Sequence, residues 1–189
     1  MQNDVIFVVA GGPSLIGFDF ERLRGKGRVL CVNDAFRSVP FADWVFSSDW
    51  RWFVRRRKEL LRSKLKIKGF FAVQEKHKFF DPQFYFFKRS RESGFSVIAD
   101  TVHVGRTSGF GALNLAFLFN PRKICLLGFD YKGNDHFYPA YEWYGHSRQA
   151  LLEKSVRDFD NLNCFHVVNL NPNSALKQFR FENIDEVLE

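Results

Sequence analysis

Residues 104–112, Val-Gly-Arg-Thr-Ser-Gly-Phe-Gly-Ala, set glycines on both sides of a Thr-Ser pair and run into the apolar stretch Leu113 to Phe119. This is how a loop hands over to a helix whose free N–H groups point back at the loop, where an anion can sit. The following apolar stretch, Lys123 to Leu127, ends in Gly128, Phe129 and Asp130, a carboxylate at the end of an expected strand. Near the N-terminus, Ala10-Gly11-Gly12-Pro13-Ser14-Leu15 makes a second turn. Its glycines let backbone approach a ligand, Pro13 fixes φ, and Ser14 can cap the next helical turn. Asn33 and Asp34 close the apolar run Arg28 to Val32. The Asn33 amide carries both donor and acceptor and suits a base or ribose edge, although an Asx turn would use it equally well. No Gly-Lys-Ser/Thr and no three-glycine dinucleotide fingerprint occurs.

These residues need elements to hold them. Val5 to Val9 is short, β-branched and apolar throughout, the pattern of a strand buried on both faces. Arg28–Val32, Ala42–Phe46, Gly69–Gln74, Lys123–Leu127 and Cys164–Leu170 read as further strands. Helices are expected over Phe18–Arg24, Trp50–Arg62 (capped by Asp49), the stretch after Gly105, Ser147–Asn161 and Ala175–Phe179. Residues 75–100 are irregular and Phe-rich and suggest edge strands and loops, with His77 and His103 in structural roles. The alternation predicts an α/β fold: one Rossmann-like domain over residues 1–189, a mostly parallel sheet, and helices on both faces. Residues 131–146 are long for a connector and carry aromatic rings with His136 and His146, which fits a short lid loop.

The formal net charge is +7, and residues 51–68 hold nine basic residues against the single acid Glu59, leaving the rest about neutral. That stretch is either a solvated helix face or a surface for an anionic partner, nucleic acid or glycan. Cys31, Cys125 and Cys164 stand singly in apolar runs, which fits buried thiols in a reducing compartment rather than a metal site. No apolar run approaches the roughly 20 residues needed to cross a bilayer, and no signal peptide is evident at the N-terminus. A soluble, cytoplasmic protein is expected. The many Phe residues suit a core, and at an edge they would suit a homo-oligomer.

Four islands, in order, resemble the Campylobacter-type family 42 sialyltransferases and the related pterin diphosphokinase-like (DUF115) proteins. They are Ala10 to Leu15, Cys31 to Asn33, Arg106–Gly109 through Gly128–Asp130, and Tyr144–Ser147 with Pro172–Ser174. Residues 33–37, 42–44 and 49–52 also look like phage-encoded proteins, which implies a phage origin and a host cytoplasm. The resemblance implies a transferase acting on a cytidine nucleotide sugar as substrate, with no cofactor and no metal. It implies that Gly11, Gly12, Ser14 and Asn33 hold the nucleotide and that Thr107 and Ser108 contact the donor. It implies that His146 deprotonates the acceptor and that Tyr138 and Tyr144 serve the leaving phosphate. Arg106, Asp34 and Asp130 complete the expected site. Two other readings remain: diphosphate transfer with Mg²⁺ held by Asp34, Asp49 and Asp130, and a non-catalytic phage module binding nucleotide or DNA through Arg51 to Lys68.

Overall fold

The structure is a computed structural model that describes residues 4–63, 65, 69–73, 83–133, 136–138, 148–160, 162 and 164–189. Among the described residues the strands are β1 (Val5–Val9), β2 (Arg28–Val32), β3 (Trp44–Ser47), β4 (Phe70–Val73), β5 (Tyr85–Ser90), β6 (Thr101–His103), β7 (Lys123–Leu127), β8 (Val167–Asn169) and β9 (Arg180–Phe181). The helices are α1 (Trp50–Arg62), α2 (Ser108–Leu118), α3 (Arg148–Val156) and α4 (Ile184–Leu188), with short 3-10 turns between some strands. All neighbouring strands are parallel, in the order β6-β5-β4-β3-β2-β1-β7-β8-β9.

The expected α/β class and parallel sheet are observed, and side-chain alternation explains why both faces are covered. In β1, Ile6 and Val8 enter one core while Phe7 and Val9 enter the other. Leu30 and Val32 of β2 oppose Val29 and Cys31, and Ile124 and Leu126 of β7 oppose Cys125 and Leu127, in the same way. The first core is closed by α2, through Phe110, Leu113 and Leu115, and by Phe159. The second is closed by α1, through Trp52, Phe53 and Leu60, and by Leu15, Leu23 and Phe36. Helix α2 is buried from Gly109 to Ala116. It therefore shows no amphipathic stripe, only a run that is apolar apart from the buried Asn114, whose Oδ1 accepts from His103 N at 2.6 Å.

Some boundaries differ from the sequence-based expectation. Phe18–Arg24 contributes a 3-10 turn at Phe20–Leu23 rather than a full helix. Residues 175–179 are not helical. Leu176 and Phe179 are buried from an irregular segment, where the Ser174 hydroxyl accepts from Leu176 N at 3.0 Å. Their spacing imitates a helical face without one. The two-residue β9 and helix α4 lie in the tail expected only to pack on the surface. The Phe-rich region supplies β5, which pairs with β4 and β6 and is therefore not an edge; the edge strand β6 begins just after it, at Thr101. His103 has the structural place expected for it, with its Nδ1 3.1 Å from Gly94 O, whereas His77 lies outside the described residues.

The chain leaves β1 for β2 on one side and returns to β7 on the other. The β1/β7 border is therefore the topological switch point, where loops diverge and open α/β sheets hold ligands beyond the strands' carboxyl ends.

Candidate functional site

A cleft of about 710 Å³ opens at that edge. Its wall is assembled from the ends of several strands: Gly11 and Gly12 after β1, Asn33 after β2, Ser48 and Asp49 after β3, Arg89 near the end of β5, and Gly128, Asp130, Tyr131 and Lys132 after β7. Arg106 to Gly109, at the start of α2, and His136, Tyr138, Leu151 and Leu152 complete the lining.

Asp130 builds the glycine turn. Its Oδ2 accepts from Ser14 N at 2.8 Å, and its Oδ1 accepts from Ser14 Oγ at 2.6 Å and from Asn171 Nδ2 at 2.8 Å. Asp130 is buried, so these three donors hold its charge in place. Gly12 donates its N–H to Gly128 O at 2.8 Å. A Cβ on Gly12 would lie 2.4 Å from that same oxygen and 2.5 Å from the Asp130 carboxyl, so only glycine fits. Ser14 and Asp130, expected as nucleotide ligands, thus pin the first βα turn to the end of β7.

Gly11 packs against residues 136–138. Its carbonyl accepts from Phe137 N at 3.1 Å, and His136 Nδ1 lies 3.0 Å from it. A Cβ here would meet His136 Nδ1 at 2.3 Å and the Tyr138 hydroxyl at 2.6 Å. The His136 and Tyr138 rings stack with centroids 4.8 Å apart. The expected Tyr138 is therefore in the cleft, and His136 joins it. His146 and Tyr144 lie outside the described residues.

Asn33 carries a positive φ of 52°, in the left-handed region. Its Oδ1 is buried in the cleft wall without a hydrogen-bond partner. A buried polar atom left unpaired costs about 1–3 kcal/mol, and left-handed backbone at a non-glycine residue is a common mark of a functional position. Asp34, one residue on, turns away. Its carboxylate takes Arg56 through two hydrogen bonds, Nε to Oδ1 at 2.8 Å and Nη2 to Oδ2 at 3.0 Å, and Trp52 Nε1 at 2.8 Å. Asp34 is 3% exposed and does not line the cleft, in contrast to its expected role. The left-handed Asn33 sends consecutive polar side chains to different places.

Thr107 caps α2, accepting from Phe110 N at 3.3 Å, and its Oγ1 lies 2.6 Å from the Tyr131 hydroxyl. Burial pushes the Tyr131 phenol pKa up, against the Thr107 hydrogen bond. Ser108 Oγ accepts from Ser48 N at 3.1 Å. Both hydroxyls thus fix the α2 N-terminus against β3 and β7, and what they present to the cleft is the positive end of an 11-residue helix. Arg106 sits at the rim, half-exposed and paired with Asp158, whose Oδ2 also accepts from Arg106 N at 2.9 Å.

Asp49 caps α1 as expected, accepting from Arg51 N at 2.9 Å. Of Asp34, Asp49 and Asp130, the set considered for Mg²⁺, only Asp49 and Asp130 line the cleft, and each of the three carboxylates is bonded to its own protein donors. Among the described residues no cluster of three or more His, Cys, Asp or Glu is placed to hold a metal. Along α1, Arg56 faces inward, while Arg55, Arg57, Lys58 and Arg62 are exposed. Among the described residues no helix is long and apolar enough to cross a membrane.

Arg89 was not singled out from the sequence. It is half-buried in the cleft wall, and burial is the largest cause of its lowered pKa, ahead of repulsion from Arg91, while attraction to Asp49 works the other way. Its sequence neighbourhood, Lys88 and Arg91 in a Phe-rich run, gives no sign of a site.

No family model matches this chain, and no curated protein matches it. Solved structures do. The fold is similar to the sialyltransferase CstII from Campylobacter jejuni, solved in complex with the substrate analogue CMP-3FNeuAc. The TM-score is 0.53 at 12% identity, over 96% of this chain and 86% of that one. It is also similar to the MAf glycosyltransferase from Magnetospirillum magneticum AMB-1, with a TM-score of 0.61 at 11% identity over 96% of this chain. This chain spans 34% of the Magnetospirillum protein. The fold is therefore glycosyltransferase-like and Rossmann-like.

Proposed function

We propose that the chain is a nucleotide-sugar-dependent glycosyltransferase, with residues 1–189 forming one nucleotide-binding unit and a cytidine nucleotide sugar as donor. The observation that carries this is the cleft at the β1/β7 switch point, lined both by Asn33, whose Oδ1 has no protein partner, and by the α2 N-terminus. An amide oxygen in that position suits a ribose hydroxyl or a base amine, and a helix N-terminus suits phosphate. The CMP-sugar analogue bound to the Campylobacter neighbour supports the choice of nucleotide.

In this reading the acceptor hydroxyl attacks the anomeric carbon, the bond from that carbon to the phosphate oxygen breaks, and a histidine takes the acceptor's proton. His146 is the base implied by resemblance. His136 is a second candidate, favoured by its place in the cleft. Its Nδ1 lies 3.0 Å from Gly11 O, an arrangement that selects the tautomer with a basic Nε2. Tyr138 and Tyr144 would donate to the departing phosphate.

A thermal-shift screen with CMP, CDP, UDP and GDP, each with and without Mg²⁺, tests the reading. A metal-independent shift with CMP is expected. No shift with any nucleotide would sink the proposal. H136A and H146A, assayed for CMP release from CMP-sialic acid, identify the base: its loss removes turnover while CMP still shifts the melting temperature.

A further inference from the structure

Arg89 is a cleft cation that the proposed reaction leaves without a role. Phe87, two residues earlier in β5, packs into the core shared with α2, so Arg89 extends from that same face. Its Nη1 reaches Ser48 O over a long 3.4 Å. The Ser48 hydroxyl lies 3.0 Å from that of Ser108, in the first turn of α2. Arg89, Ser48 and the α2 N-terminus thus form one continuous wall. The Arg89 Nε is buried with no hydrogen-bond partner, and among the described residues no carboxylate lies within ion-pair distance of the guanidinium.

Other cleft cations are placed differently. Arg106 is paired with Asp158, and Arg51 and Lys132 are exposed. A half-buried guanidinium without a bonded counter-ion, beside the positive end of a helix, is built to receive an oxyanion.

We propose that Arg89 is an oxyanion subsite of the cleft, binding a carboxylate or phosphate of the ligand against the α2 N-terminus. The proposal deepens the nucleotide-sugar reading and rests on it for the rest of the ligand. The two unpartnered buried atoms make complementary demands: Asn33 Oδ1 requires an N–H or O–H donor, and Arg89 Nε requires an acceptor. A ligand with a nucleoside hydroxyl or amine at one end and an oxyanion at the other suits a cleft lined by both residues.

Titration calorimetry with wild type, R89Q and R89K tests this, using cytidine, CMP, inorganic phosphate and N-acetylneuraminate as probes and galactose as the neutral control. In R89Q, affinity for the oxyanion that occupies the subsite is expected to fall about ten-fold or more, while cytidine binding stays within about two-fold. R89K keeps the charge but not the fork and is expected to fall between. A loss confined to CMP and phosphate assigns the subsite to phosphate, and a loss confined to N-acetylneuraminate assigns it to a sugar carboxylate. Unchanged oxyanion affinities in both variants, or no oxyanion binding by the wild type, overturn the proposal. A wild type that binds phosphate through Arg89 but not cytidine would instead overturn the nucleotide reading and leave the subsite standing.

Discussion

Asn33 and Asp130 both carry polar groups in the cleft wall, yet they should fail differently. Asn33 holds a left-handed backbone that glycine adopts without strain, and its Oδ1 has no protein partner. N33G should therefore leave the fold as stable or up to about 1 kcal/mol more stable. In the same variant CMP affinity should drop about ten-fold, measured by calorimetry beside urea unfolding. A parallel loss of stability would mean that the amide serves the fold. Asp130 is the opposite case, since its carboxylate accepts from Ser14 N, Ser14 Oγ and Asn171 Nδ2. D130A strands those donors beneath the glycine turn and should lower stability by about 3 kcal/mol in urea unfolding. Unfolding indistinguishable from wild type would show that water replaces the carboxylate. The sequence marked both residues as site candidates from their place after strands. It could not separate them, because that depends on partners more than 100 residues away for Ser14 and 41 away for Asn171.

At the scale of elements, the pair Asp34–Arg56 ties the 3-10 turn after β2 to α1, and Trp52 completes it. The Arg56 side chain is 16% exposed and that of Asp34 4%, so the charges are largely withdrawn from water. Removing Asp34 leaves Arg56 with Glu59 alone, 3.0 Å from its Nη1, and strips Trp52 Nε1 of its acceptor, so D34A should cost about 3 kcal/mol in chemical denaturation. Replacing both with apolar residues, as in D34L/R56M, should cost clearly less. If the double variant is as unstable as the single ones combined, the ion pair contributes nothing beyond its separate parts. Sequence periodicity located α1, its Asp49 cap and the strands β1, β2, β3 and β7 because their apolar runs state burial locally. It placed a helix over Ala175–Phe179 because Leu176 and Phe179 recur at helical spacing. There the backbone is instead held by side-chain and tertiary bonds, Ser174 Oγ to Phe129 O at 2.5 Å and Ala175 N to Asp130 O at 2.8 Å. Arg89 was illegible for a related reason, since its meaning comes from Ser48 and Ser108, which only the sheet order brings near it.

Across the whole molecule, central strands buried on both faces build two cores, and the sheet buries chemistry that has no task in the cleft. Cys31 and Cys125 alternate with aliphatic neighbours in β2 and β7 and face the α1-side core. Burial pushes the Cys125 thiol from an ordinary 9.0 up to about 12, and raises Cys31 further. Burial also raises the Tyr131 phenol from its ordinary 10.0. Each native group keeps its proton where the unfolded chain has released it. Their contribution is therefore complete below pH 9 and is lost as pH rises between about 9 and 12. Each such group should steepen the loss by roughly 1.4 kcal/mol per pH unit. Urea unfolding between pH 8 and pH 11 should thus show stability flat at first and falling steeply above pH 9. In C125A the upper slope should be shallower by about one proton, even though the lost sulfur lowers stability throughout. An unchanged slope would mean that this thiol already ionises in the folded protein, and that the sheet centre admits more water than two closed cores allow.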